Sequence, residues 1–258
     1  KLFLGKGLLS RYARLASAGA LILVASACDR SPSVAGLLEQ ARKFESQGDF
    51  TSAQIQLKNA VQQDPNNAEA RFMLGSLQAT AGDFSSAEKE LQRALELNAD
   101  KAKVMPLLAR AWLRRGEVEK VIAEGKLAAE DEQETSAEIL ALRGNAYAAL
   151  GKLDEARRAF ELALAREAAL PDALLGQAKL AVRDNKPEEA FALVQRAVEK
   201  NPKFVDGWVF IGDLQRFLNK SDEAEKAYRR ATQEKADDVV ARVNLASLLL
   251  SQGKEQEA

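Results

Sequence analysis

Small and apolar residues recur along this chain at spacings of three and four, with glycine or asparagine between the runs. In Gly144–Ala163, the residues Gly144, Tyr147 and Leu150 fall three apart. After Gly151, a second apolar face is marked by Leu153, Ala156, Phe160 and Ala163. Apolar positions at that rhythm line one side of an α-helix, and a glycine between two such runs ends the first helix and turns the chain. The stretch therefore predicts two short helices folded back to back. Such a hairpin cannot bury its apolar face alone, so it must recur.

It does recur. The position of Ala156 is held in turn by Ala53, Ala87, Val121, Ala156, Ala190, Ala224 and Ala258, at spacings of 34, 34, 35, 34, 34 and 34. The position of Ala163 is alanine throughout, at Ala60, Ala94, Ala128, Ala163, Ala197 and Ala231. Only small residues stand where Gly144 does: Ala41, Gly75, Ala109, Ala178, Gly212 and Ala246. The column of Gly151 reads Gly48, Gly82, Gly116, Gly151, Asn185, Asn219 and Gly253. Glycine and asparagine enter the left-handed conformation that closes a helix, so this column is a turn. First helices are predicted near 35–47, 68–81, 103–115, 137–150, 171–184, 205–218 and 239–252, with second helices near 51–63, 85–97, 118–130, 153–166, 187–200 and 221–234. Pro106 falls deep in its segment and predicts a helix beginning nearer Val104.

This period and pattern resemble the tetratricopeptide repeat (TPR), a 34-residue helix–turn–helix unit. The resemblance implies an all-α solenoid, a right-handed superhelix of hairpins with about six and a half repeats. They fall near 34–67, 68–101, 102–136, 137–170, 171–204, 205–238 and a truncated 239–258. The third repeat departs most, with Val121 in an alanine column, Gly125 where other copies have a large residue, and the acidic run Glu130-Asp131-Glu132. That run reads as a solvated loop. The absence of an initial methionine and the stop at Ala258 predict an N-terminal fragment of a longer array.

Residues 1–27 have a different character. A basic segment with Lys1, Lys6, Arg11 and Arg14 precedes the apolar Leu15–Ala27, which is too short to span a bilayer comfortably. It ends at Ala25-Ser26-Ala27 before Cys28, the one cysteine of the chain. The arrangement resembles a bacterial lipoprotein signal, which implies a signal peptide at 1–27, lipidation of Cys28 and a short tether over 28–33. Asp29 resembles the signal that retains a lipoprotein at the inner membrane, with the outer membrane as the alternative. The same residues also fit an ordinary secretory signal cut near Ala27, or an uncleaved anchor.

Composition narrows the chemistry. With no histidine, the usual general base and metal ligand are missing, and a single cysteine allows neither an internal disulfide nor a cysteine-cluster metal site. The net charge is −1, and the first 28 residues carry basic groups only, so the body holds an acidic excess unsuited to nucleic acid. No catalytic residues, cofactor or metal are predicted.

Function then rests on surfaces. The TPR resemblance implies that first helices line a concave groove. The candidate groove-lining residues are Arg110, Arg114, Asn145, Lys179, Arg183, Asp213, Arg216 and Phe217. Arg110 with Arg114, and Lys179 with Arg183, sit four apart on one helix face and form a basic strip able to hold an acidic peptide or an anionic sugar. The plain alternative is that these cations only solvate their helices. The positions Ala53, Ala87, Gly144, Gly151, Ala156, Ala163, Ala190 and Ala224 are read as structural.

The lipoprotein start, with AQIQLKNAVQQDPNNAEARFMLG at 53–75, VMPLLARAWLRRGEVEKVI at 104–122 and ILALRGNAYAALGKLDEARRAF at 139–160, resembles the TPR lipoproteins of PEP-CTERM systems, the PrsT family. That resemblance implies a non-enzymatic periplasmic scaffold, membrane-bound through its N-terminal lipid, whose partners are proteins of exopolysaccharide export and exosortase sorting. The alternatives are a TPR lipoprotein of outer-membrane or cell-wall assembly, or the regulatory part of a larger enzyme such as a glycosyltransferase.

Overall fold

The structure, a computed structural model, describes residues 32–127 and 136–256. Cys28, Asp29, the acidic run at 130–132 and Ala258 lie outside the described residues. Among those described there are thirteen α-helices and no strand. The first helices of successive hairpins are α1 (Val34–Ser46), α3 (Ala68–Thr80), α5 (Lys101–Arg114), α7 (Ala137–Ala149), α9 (Pro171–Arg183), α11 (Val205–Phe217) and α13 (Val239–Ser251). The second helices are α2 (Phe50–Gln63), α4 (Phe84–Glu96), α6 (Val118–Leu127), α8 (Leu153–Arg166), α10 (Pro187–Lys200) and α12 (Ser221–Glu234).

Two compact units divide the chain between Pro65 and Asn66. In the first unit α1 packs on α2, and Leu37, Leu38 and Ala41 are buried together with Ala53, Leu57 and Ala60. In the second unit each helix packs on the next in the chain. First helices also meet first helices there: α3 with α5, α5 with α7, α7 with α9, and α11 with α13.

Every first helix ends in the same way. The Lys152 N–H donates to the Tyr147 carbonyl at 2.9 Å, wrapping over Gly151 at φ +72°. The same bond joins Asp49 to Phe44, Asp83 to Gln78, Glu117 to Trp112, Lys186 to Ala181, Lys220 to Gln215 and Lys254 to Leu249. It satisfies a carbonyl the helix leaves free, and it requires a left-handed residue in the turn. Glycine supplies that residue at five ends, and Asn185 and Asn219 supply it at φ 58° and 59°.

The start of the second helix changes along the chain. Asp49 and Asp83 cap α2 and α4 by accepting the N–H of Ser52 and Ser86. Lys152, Lys186 and Lys220 at the corresponding places make no such bond. Paired acids in the first turns of α8, α10 and α12 complement the helix dipole instead.

The small residues set how closely hairpin partners approach. A Cβ added at Gly144 would stand 2.5 Å from the Phe160 ring, and one at Gly75 would stand 2.7 Å from Leu91. A Cβ at Gly212 would likewise run into Tyr228. Where the small residue is alanine, as in Ala41 and Ala178, the matching positions hold the aliphatic Leu57 and Val194. The two rings, Phe160 and Tyr228, both face glycine, while an aliphatic partner faces alanine at Ala41 and Ala178 and glycine at Gly75. The alanines at 53, 87, 156, 163, 190 and 224 are fully buried, so larger residues there would overpack the hairpins.

Helix α5 differs from expectation. It begins at Lys101 and runs through Pro106. The Asp100 side chain accepts the Ala102 N–H at 3.0 Å, and the Asp100 carbonyl accepts from Lys103 and Val104. That first turn is thus anchored from outside, and the single bond lost at Pro106 does not end the helix. Trp112 is buried, whereas Tyr147 and Trp208 are only half-buried.

Candidate binding groove

Glu138 and Asp172 are the second residues of α7 and α9, one repeat apart. Arg110 on α5 reaches both. Its Nε and Nη2 donate to Glu138 Oε1 at 3.1 and 2.8 Å, and Nη2 donates to Asp172 Oδ2 at 3.0 Å. One side chain therefore spans three first helices and marks the face on which they meet. Burial opposes the Arg110 charge, but the hydrogen bonds and charges of Glu138 and Asp172 outweigh it and raise its pKa.

Helical periodicity places the other candidates on this face. Asn145 lies seven residues beyond Glu138, Lys179 and Arg183 lie seven and eleven beyond Asp172, and Arg114 lies one turn beyond Arg110. On α11, Asp213 accepts from the Tyr228 hydroxyl at 2.6 Å and from Asn244 Nδ2 at 3.0 Å, which ties together α11, α12 and α13. Arg216 is exposed, and Phe217 beside it is 70% exposed.

Charge on the groove is consequently uneven. Its carboxylates at Glu138, Asp172 and Asp213 hold internal partners, whereas Asp206, the second residue of α11 and in the same column as Glu138 and Asp172, is exposed. Arg114, Lys179, Arg183 and Arg216 are exposed and make no side-chain hydrogen bond or ion pair among the described residues. Of the expected basic strip, Arg110 belongs to the scaffold and the other cations face solvent. Glu138 and Asp172 share one column of the repeat, which marks them as facing the same way but does not name Arg110 as their partner.

A second polar cluster went unrecognised in the sequence. Glu88 on α4 is nearly buried, and its Oε1 accepts from Trp112 Nε1 at 2.8 Å and Lys120 Nζ at 2.9 Å. Arg115 pairs with its other oxygen. Glu117 joins Arg115 and Lys120 at 2.7 and 2.5 Å, and Lys120 lies over the Trp112 ring. Burial would raise the Glu88 pKa, but the bonds from Lys120 and Trp112 and the charges of Lys120 and Arg115 hold it below the usual value. The cluster clips α4 to α5 and α6. An open depression of about 430 Å³ beside it is lined by Arg71, Lys89 and Arg93 together with Glu88 and Glu96. Arg71 pairs with Glu90 and Arg93 with Glu96, so the depression has mixed charge.

Among the described residues no group of three or more His, Cys, Asp or Glu could hold a metal ion. No helix there is long and apolar enough to cross a membrane.

Two sequence-family models, each described as tetratricopeptide repeat, match residues 45–104, and 142–203 with 211–258. The chain belongs to the tetratricopeptide-repeat family. Among solved structures, a TPR protein from Parabacteroides merdae superposes with a TM-score of 0.60 at 22% identity, over 86% of this chain and 88% of that one. PilF of Pseudomonas aeruginosa gives 0.57 at 16% identity, over 83% and 97% of the two chains. PilW, a widely conserved type IV pilus biogenesis factor, gives 0.59 at 15% identity, over 82% and 98%. At these identities the likeness is one of fold. No curated protein sequence matches the chain. TPR arrays serve as protein–protein interaction scaffolds, presenting extended surfaces built from successive repeats.

Proposed function

We propose that this TPR protein is a non-enzymatic adaptor, anchored through lipid on Cys28 at the periplasmic face of a Gram-negative membrane. It recruits protein clients of exopolysaccharide export and PEP-CTERM sorting. The observation that carries the adaptor reading is the row of exposed side chains without internal partners across α5, α9 and α11, a surface that helix packing does not use. The Ala25-Ser26-Ala27-Cys28 motif supports the anchor, and the PrsT-like segments support the pathway. In cells, Cys28→Ser should release the protein from the membrane fraction, and Asp29→Ser should shift it from the inner to the outer membrane. Unchanged fractionation of Cys28→Ser would refute the anchor. A photocrosslinker at Lys179 should trap components of export or sorting, and their absence from the adducts would refute the client assignment.

A second reading keeps the scaffold and changes the client to outer-membrane or cell-wall assembly. PilW, a pilus biogenesis factor, has the same fold, so the architecture suits such a task. Loss of surface polysaccharide on deletion favours the first reading, and loss of a surface assembly with polysaccharide intact favours the second.

A further inference from the structure

We propose that α6 is a latched helix: it opens from α4 and α5 as a unit while the neighbouring hairpins stay closed, and Glu88 is the latch. This goes beyond the adaptor reading and does not depend on it.

The other hairpins are closed by a side chain that α6 lacks. In the column of Phe160, the residues Leu57, Leu91, Phe160, Val194 and Tyr228 are each at most 1% exposed. Leu91, Phe160 and Tyr228 press so closely on their own first helix that a Cβ added at Gly75, Gly144 or Gly212 would collide with them. The third hairpin has Gly125 in that column, and glycine has no side chain to set against Ala109. Burying one large apolar side chain shifts a docking equilibrium roughly tenfold to a hundredfold, and a glycine inside a helix weakens the helix itself. Among the described side chains of α6, Val121 is buried, while Val118 and Ile122 are only partly so.

Charge supplies what is missing. Glu88 on α4 accepts from Lys120 Nζ on α6 at 2.9 Å and from Trp112 Nε1 on α5 at 2.8 Å, and it pairs with Arg115. Its exposure is 8%, so these partners stand where water would otherwise be. Removing the charge of a nearly buried, multiply bonded acid undoes several contacts together. Only Lys120, near the start of α6, reaches Glu88 from that helix among the described residues, so one carboxylate closes one end of it.

Opening of α6 need not part the array. Arg110 ties α5 to Glu138 on α7 and to Asp172 on α9 with side chains that α6 does not supply. What opening uncovers is the Trp112 side of α5, because Lys120 lies over that ring.

The test is hydrogen–deuterium exchange of the full chain at neutral pH, comparing peptides of α6 with those of α4 and α8. Local opening lets one element exchange ahead of the rest, so α6 should exchange faster than both. Glu88→Gln should speed α6 about tenfold and leave α8 unchanged, since hydrogen bonds to a charged group are lost. Gly125→Leu restores the side chain, as Leu57 stands opposite Ala41 in its columns, and should slow α6 about tenfold beyond Gly125→Ala. The alanine variant is the control, because it brings the better helix propensity without the buried side chain. Trp112 gives a second reading in a Trp208→Phe background, where it is the only tryptophan. Acrylamide quenching of its fluorescence should rise with Glu88→Gln and fall with Gly125→Leu. Protection of α6 equal to that of α8 in the wild-type chain would overturn the proposal. So would acceleration of every helix alike by Glu88→Gln, or identical α6 exchange in Gly125→Leu and Gly125→Ala. If Gly125→Leu does not fold, selective acceleration of α6 by Glu88→Gln, with the matching rise in quenching, decides for the latch, and its absence decides against it.

Discussion

Replacing Gly144 by alanine isolates the rule that sets hairpin spacing. The added Cβ would stand 2.5, 2.7 and 2.8 Å from Cε1, Cδ1 and Cζ of Phe160. Carbon atoms in ordinary contact lie about 3.5–4.0 Å apart, so the ring would have to yield by about 1 Å. It has little room to do so. Phe160 is 1% exposed, and the same ring lies so close to Gly176 on α9 that a Cβ there would also collide with it. Overpacking of this kind costs about 1–3 kcal/mol, and the better helix propensity of alanine returns about 1 kcal/mol, leaving a net loss of about 1 kcal/mol.

Urea unfolding followed by helical circular dichroism measures it, with two companions. Gly36→Ala is the control, because a Cβ there meets only Ser33 and Pro32 at the ordinary distances of 3.5 and 3.8 Å. It should raise the midpoint. In a Phe160→Val background the ring is gone, and the chain already pairs alanine with valine at Ala178 and Val194. Gly144→Ala should then be neutral or stabilising, a coupling of about 1–2 kcal/mol between neighbouring sites. If Gly144→Ala stabilises the wild-type chain as Gly36→Ala does, the close approach does not limit packing and the reasoning fails.

Further expectations follow from the turn, the groove and the buried cluster. Gly151→Ala forces a Cβ into a left-handed turn and should cost about 1–2 kcal/mol, whereas Gly151→Asn, the residue used at Asn185 and Asn219, should cost clearly less in the same urea assay. Equal losses would remove backbone conformation as the cause. Glu88 has a folded-state pKa below the usual 4.5, so its contribution is present above that value and is lost as pH falls through the depressed one. The stability gap between wild type and Glu88→Gln should be constant near neutrality and close below about pH 4.5. A gap independent of pH would rule out the charged cluster. Arg110→Ala should lower stability by about 1 kcal/mol in the same urea assay, because it removes the bridge from α5 to Glu138 and Asp172. An unchanged midpoint would contradict a structural role for the bridge.

The groove was only partly legible from the chain. Its candidates were found because helical spacing gathers Arg110 with Arg114 and Lys179 with Arg183 on one face. By spacing alone Arg110 groups with the solvent-facing cations, although it belongs to the scaffold. Its partners lie 28 and 62 residues away, and a reading confined to one helix at a time does not join them. Asp213 was noted as a groove residue without Tyr228 and Asn244, which come from the next two helices and hold it. Nothing in the sequence of α4 sets Glu88 apart from the other charges of that helix. Only the stacking of α4 against α5 and α6 gives it Trp112, Arg115 and Lys120.

What the amino-acid order determined alone was the local grammar: the 34-residue period, the helices, and the turns at Gly48, Gly82, Gly116, Gly151 and Gly253 with Asn185 and Asn219. Those features depend on backbone conformation and on side chains within one turn of each other, which nearby residues decide. Pro106 shows the limit even there, because the cap at Asp100 outweighed one lost hydrogen bond. The tertiary structure alone decided which charges are paired and which remain exposed. An ion pair depends on a few ångströms between atoms carried by different hairpins, and only the stacking of repeats sets that distance. For this protein the scaffold is written in the period, and the surface offered to a partner in the charges that stacking left without one.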